Sequence, residues 1–128
     1  MSRAVLDASA LMALLNNEPG AEKLTPRIMS AAAASTVNLA EVHGKLVQRG
    51  LSPDDAWAAA NGVIEEAIAF TAEQAKTAGD LVVQTRPLGL SLGDRACLAL
   101  GIALRAPVYT ADRSWKNLKL DIRIHVIR

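Results

Sequence analysis

The sequence predicts an α/β sandwich around a mostly parallel sheet, and two observations carry that prediction. Short apolar runs alternate with helix-forming segments along the whole chain, the pattern of parallel strands joined by helical crossovers. Half of the 128 residues are apolar (51%), yet there are only two Trp, one Tyr and one Phe. The core must therefore be built from Leu, Val, Ile and a great deal of Ala, which suits helices packed closely on a sheet. A chain of this length is expected to form one domain, residues 1–128, with a sizeable core.

Ala4-Val5-Leu6 is a short apolar run, read as a buried strand ending at Asp7. A helix follows at once, with Leu11, Met12, Leu14 and Leu15 as crowded apolar positions, and Asn16-Asn17-Glu18-Pro19-Gly20 stops it. That crowding fits either ordinary core or an interface. A second helix is expected over Ala21 to Met29, interrupted by Pro26, and a second strand over Ala31 to Thr36. The next helix runs from Leu39 to Arg49 and closes at Gly50. Ser52-Pro53 opens another, with Ser as N-cap and Pro at the first helical position, reaching about Ala67.

Ile68-Ala69-Phe70 is expected as a short strand. Thr71 then caps a helix reaching Thr85, with Gln74 at capping-box spacing. Arg86-Pro87-Leu88-Gly89 reads as loop. From Ser91 to Arg105 comes the most apolar helix, hydrophobic all round and so expected to be buried. Pro107 to Thr110 is a fourth strand, Arg113 to Leu118 a short helix and Ile122 to Ile127 a last strand.

Composition excludes several functions. Few aromatics argue against a base-stacking single-strand binder. Net charge is +1, so no bulk electrostatic case for nucleic-acid binding exists. From Arg86 to Arg128, however, eight Lys/Arg face three Asp and no Glu, which permits a local basic rim or an ordinary solvated surface. The single cysteine, Cys97, rules out an internal disulfide and sits in an apolar run as a buried, inert thiol. Met1-Ser2-Arg3 leads straight into a strand without a signal peptide, and no apolar run is long enough to span a bilayer. A soluble cytoplasmic protein is the expectation.

Four acids stand where strands give way to helices: Asp7, Glu41, Asp94 and Asp112. Each has a structural role on offer. Asp7 could cap the helix after it. Glu41 follows Asn38 at near-capping-box spacing and precedes Lys45 by one turn; Asp94 follows Ser91 in the same way; Asp112 could shape a turn. Jointly they suggest more. Ligands of parallel α/β sheets bind beyond the carboxyl ends of the strands. If the first and fourth strands are neighbours, Asp7 and Asp112 meet there, with Glu41 and Asp94 in the first turns of helices. Such a cluster is costly unless a hard divalent cation such as Mg²⁺ or Mn²⁺ neutralises it, which points to metal-assisted phosphoryl chemistry.

Rival motifs are missing. A haloacid-dehalogenase-type phosphatase would need Asp at position 9, which is Ser9. There is no GxxxxGK[ST] or GxGxxG loop. His43, expected on a helix surface, and His125, expected in the edge strand, lack partners at metal-ligand spacing, and neither Ser9 nor Ser91 has a His partner for a triad.

Val-Leu-Asp-Ala-Ser-Ala at the N-terminus, Asn-Leu-Ala-Glu-Val, Ser-Leu-Gly-Asp-Arg-Ala-Cys-Leu-Ala-Leu and Val-Tyr-Thr-Ala-Asp-Arg-Ser-Trp together resemble a PIN-domain ribonuclease. More narrowly they resemble the VapC toxins of type II toxin–antitoxin modules. The resemblance runs from Ala4 to Arg128 with all four acids in order. It implies a three-layer α/β/α sandwich, Mg²⁺ or Mn²⁺ bound by Asp7, Glu41, Asp94 and Asp112, and endonucleolytic cleavage of RNA. It also implies a homodimer held in check by a VapB-type antitoxin. Ser9 and Thr110 map to the small hydroxyl residues that help order the acids. Arg95, Arg113 and Lys116, beside the acids in sequence, could hold RNA phosphates or form surface salt bridges. The alternative is a non-catalytic interaction or RNA-binding module of the same fold.

Overall fold

In the computed structural model, which describes residues 3–128, the two central strands are apolar runs buried on both faces. Strand β1 is Ala4–Leu6, β2 Ala32–Ser35, β3 Glu66–Ile68, β4 Val108–Thr110 and β5 Ile124–Val126. They form one five-stranded sheet in the order β3-β2-β1-β4-β5. Every neighbouring pair is parallel, so the expected mostly parallel sheet is wholly so. β1 is central, with Val5 opposite Ala33 on one side and Val108 on the other.

Alternation along β1 divides the core in two. Ala4 and Leu6 pack with Leu11, Leu39, Val42 and Ala56, from α1 (Ala8–Asn16), α3 (Thr36–Gln48) and α4 (Pro53–Gly62). Val5 packs on the other face with Val108, Leu98, Leu100 and Trp115. Helix α7 (Leu92–Leu104), buried from Ala96 to Gly101, fills most of that second layer. A Cβ on Gly101 would come within 2.5 Å of Val108 Cγ2, so the glycine lets α7 approach β4. Three layers result, α/β/α, as expected.

Local chemistry moved several boundaries. The helix expected over Ala21 to Met29 is split, because Thr25 caps a new start and Pro26 has no N–H to continue the old one. A 3₁₀ turn at Ala21–Lys23 precedes α2, Pro26–Met29. Ser35 ends β2 and its hydroxyl accepts from Val37 N, so α3 begins at Thr36 rather than Leu39. Glu41 therefore lies in the second helical turn, not the first.

Strand β3 also lies earlier than the apolar run Ile68-Ala69-Phe70 suggested. Its register sets Glu66 opposite Ala33 and Ile68 opposite Ser35, while Phe70 N donates to Thr36 Oγ1. An exposed edge strand needs no apolar sequence, and its first two residues are exposed. The helix before it stops at Gly62, not Ala67. The helix expected from Thr71 to Thr85 breaks at Leu81 into α5 (Ala72–Asp80) and α6 (Val82–Thr85), and Arg86–Leu88 is a 3₁₀ turn instead of open loop. Arg113–Asn117 is likewise 3₁₀, and β5 is shorter than the apolar stretch around it.

The apolar residues of α1 are core: Leu11 and Met12 are buried, and Leu14 and Leu15 pack against the same cluster. Trp57, 45% exposed, sits edge-to-face with half-buried His43. Cys97 is buried, and burial pushes its thiol well above the ordinary range, so it is inert. Among the described residues no helix is long and apolar enough to cross a membrane.

Candidate active site

Strand β1 delivers Asp7 to the carboxyl edge of the sheet, where extended backbone (φ −82°, ψ 176°) makes it the N-cap of α1. Its carboxylate is buried and receives four contacts from donors. Ala10 N donates to Oδ1 at 2.8 Å, Thr110 Oγ1 to Oδ2 at 2.6 Å, and Ser9 Oγ reaches both oxygens at 2.8 and 3.0 Å. Ser9 Oγ in turn accepts from Ala111 N at 2.8 Å, and Thr110 Oγ1 accepts from Asp112 N at 3.0 Å. Two hydroxyls thus stitch the end of β1 to the end of β4. Because β1 and β4 are neighbours, Asp112 arrives beside this network.

Glu41 is held from the opposite side. Buried Asn38, one turn earlier on α3, donates through Nδ2 to Glu41 Oε1 at 2.9 Å and to the Gly93 carbonyl at 3.0 Å. Those two acceptors fix the amide orientation and leave Asn38 Oδ1 buried without a partner. The space beside Gly93 is taken by the Glu41 carboxylate: a Cβ there would overlap Oε1 and lie 2.7 Å from Cδ. Gly93 is the residue that sequence reasoning missed. Its signal was a glycine in the first turn of a helix, where nothing in helix geometry asks for one.

Asp94 completes a capping box: Asp94 Oδ2 accepts from Ser91 N at 2.8 Å and Ser91 Oγ accepts from Asp94 N at 3.2 Å. Asp112 caps the last 3₁₀ turn, its Oδ1 accepting from Ser114 N at 2.9 Å and Ser114 Oγ at 2.8 Å. The structural roles available to Asp7, Asp94 and Asp112 are therefore all taken up, yet each of Asp94, Asp112 and Glu41 uses only one oxygen. Among the described residues Asp94 Oδ1, Asp112 Oδ2 and Glu41 Oε2 accept no hydrogen bond, and none of the four acids is in an ion pair.

Three of these charges are felt together. Buried Cys97, below the first turn of α7, is pushed up by Asp7, Asp94 and Glu41 in addition to burial. Burial is also the main reason the Asp7 carboxyl rises from 3.8 to about 6, with Asp94 adding to it and the three hydrogen bonds opposing it. The donor set is all carboxylate oxygen, which fits a hard divalent cation. No group of three His, Cys, Asp or Glu is already drawn into a ligand shell among the described residues.

The basic candidates lie differently. Arg95 is half-buried and donates through Nη1 to the Ala78 carbonyl on α5 at 3.0 Å. Arg113 donates through Nε to the Arg128 carbonyl at 3.2 Å, and Lys116 is exposed on the 3₁₀ turn after Asp112.

Comparison with known proteins places this architecture. The sequence matches the PIN domain family over residues 4–120, so the chain belongs to that family. Among solved structures, it is similar to DNA-bound VapBC from Salmonella typhimurium, with TM-score 0.77, 18% identity and full coverage of both chains (100% each). It is similar as well to a promoter-DNA-bound VapBC complex from Rickettsia felis, with TM-score 0.74, 18% identity and 98% of each chain covered. A sarcin–ricin-loop-cleaving VapC toxin from Mycobacterium tuberculosis gives TM-score 0.71 and 21% identity over 94% of this chain and 98% of that one. At these identities the likeness concerns the fold. No curated protein sequence matches the chain.

The Asp7 environment makes a signed prediction for the metal-free protein. A carboxyl whose folded pKa is about 6 against 3.8 contributes stability that is complete below 3.8 and lost as pH rises through about 6. Asp7→Asn removes that loss, so its melting temperature should exceed the wild type's at pH ~8, by the equivalent of up to about 3 kcal/mol, and the gain should vanish near pH ~4. A gain equal at both pH values would show that ionisation of Asp7 is not what costs stability.

Proposed function

We propose that this chain is a Mg²⁺- or Mn²⁺-dependent endoribonuclease, the toxin of a type II toxin–antitoxin module. Membership of the PIN domain family supports it, as does the fold shared with VapBC complexes and with a VapC toxin that cleaves the sarcin–ricin loop. The observation that carries it is the set of open carboxylate oxygens on Glu41, Asp94 and Asp112 beside a fully hydrogen-bonded Asp7, with none of the four in an ion pair among the described residues.

Asp7, Glu41, Asp94 and Asp112 would hold the ion, directly or through waters, since Mg²⁺ keeps part of its hydration shell. A bound divalent ion would polarise the phosphoryl oxygens and lower the pKa of a water. Asp7 is the rigid member, locked by Ser9, Thr110 and Ala10. Glu41, steered by Asn38, presents its open oxygen to orient the attacking water and accept its proton. The same reading carries a VapB-type antitoxin as protein partner and a homodimer in the cytoplasm. Exposed Trp57, Leu51 and Val47 supply apolar surface for such contacts.

Two substitutions separate chemistry from capping. Asp94→Asn keeps an oxygen for Ser91 N but loses the negative ligand. It should melt close to the wild type while RNA cleavage falls at least a hundredfold; Asp94→Ala should lose activity and also about 1 kcal/mol of stability. Cleavage of RNA over DNA that stops with EDTA and in Asp94→Asn supports the nuclease. A folded Asp94→Asn protein that cleaves normally would favour the non-catalytic module.

Gly93→Ala displaces the Glu41 carboxylate, the mobile end of a flexible side chain, so the fold should tolerate it. Cleavage should drop at least tenfold with a melting temperature changed by only a few degrees, and a fully active variant would show that the position of Glu41 is not critical.

A further inference from the structure

A cleft of about 380 Å³ opens beside Ser9, lined by Ser9, Met12, Glu18, Lys45, Gln48, Arg49 and Arg128. It shares Ser9 with the hydroxyl network on Asp7, so it continues the acidic site rather than lying apart from it. Its walls are α1 with the turn after it, the end of α3 with its C-cap, and Arg128. Arg128 is occupied: its Nη1 pairs with Glu18 Oε1 at 3.1 Å and donates to the Pro19 carbonyl at 3.3 Å, while its own carbonyl accepts from Arg113. That pairing offsets Glu18, the one acidic side chain among the described residues that line the cleft. Lys45 and Arg49 are exposed and form no ion pair among the described residues, so two positive charges remain.

The helix fixes where those charges stand. Glu41 and Lys45 stand four residues apart on α3, and Arg49, four further on, is its C-cap, which puts the three in one row, Lys45 about 6 Å and Arg49 about 12 Å along the axis from Glu41. A carboxylate at the reacting centre is thus continued by two cations leading away from it. Polyanion backbones bind such rows. Both side chains are exposed.

We propose that Lys45 and Arg49 hold successive backbone phosphates of the RNA beside the scissile bond, with the Ser9 cleft as the channel the strand follows. This rests on the ribonuclease reading above and assigns it a substrate-binding track. Binding there is independent of sequence, because phosphates carry none. The two residues are binding rather than catalytic groups, so their loss acts on KM and leaves kcat nearly untouched.

The test uses full-length protein carrying Asp94→Asn, in EDTA, with bulk bacterial transfer RNA and ribosomal RNA as probes. RNA affinity is measured over a range of salt, with and without Lys45→Gln and Arg49→Gln together. Loss of two phosphate contacts should flatten the slope of log affinity against log salt by about 1.4, at about 0.7 per contact on single strands. Lys45→Arg with Arg49→Lys should restore most of it, and Lys76→Gln, on the opposite helix layer, should leave it unchanged. In the Asp94-containing protein, Lys45→Gln/Arg49→Gln should raise KM severalfold at constant kcat. An unchanged slope and KM in a protein that still cleaves RNA overturns the track alone. Loss of affinity for a co-expressed antitoxin, with RNA binding intact, also overturns it and gives the cleft to a protein chain. Absence of RNA binding and RNA cleavage in every form, wild type included, overturns the ribonuclease reading itself.

Discussion

The junction of β1 and β4 at the carboxyl edge of this sheet depends on one buried carboxylate. Asp7 terminates the central strand, caps the first helix and accepts from two hydroxyls, one of which belongs to β4. Removing an ionised carboxylate from water is expensive, and the donors around Asp7 offset only part of that cost, as its raised pKa records. The same bonds place Asp112, because Thr110 accepts from its backbone N–H.

Capping leaves part of each of these acids, Asp94 and Asp112, free. A carboxylate has two oxygens. In Asp94 and Asp112 one oxygen satisfies helix-start N–H groups and the other stays open, while in Glu41 one is held by Asn38. The capping bond costs the site nothing and gains it rigidity, because it pins the side chain to the start of a helix. Gly93 extends this logic: its missing Cβ is the space in which Glu41 sits.

Much of this was legible in the sequence. The alternation of apolar strand and helix gave the layers, and the central strand at Ala4–Leu6 and the helix from Ser91 were placed closely because burial and capping chemistry agreed there. The four acids stood out by position. What was hidden depended on partners distant in sequence. β3 is set by pairing with β2 rather than by apolar residues, so Glu66 and Ala67 gave no sign of it. Ser35 and Thr36 read as strand, yet the serine hydroxyl starts α3 and moves Glu41 a turn inward. Arg95, beside Asp94 in sequence, donates to the Ala78 carbonyl across a helix interface, while the cations that line the Ser9 cleft, Lys45 and Arg49, lie one and two helical turns from Glu41, where the sequence offered Lys45 only as a salt-bridge partner.

The central claim is that Asp7, Glu41, Asp94 and Asp112 form one divalent-cation centre. Titration of isotopically labelled protein with trace Mn²⁺ tests it directly, because the paramagnetic ion broadens only nearby amide resonances. Selective broadening at the ends of β1 and β4 and in the first turn of α7, reversed by excess Mg²⁺, is the predicted result. Broadening elsewhere, or none at these positions, would contradict the claim.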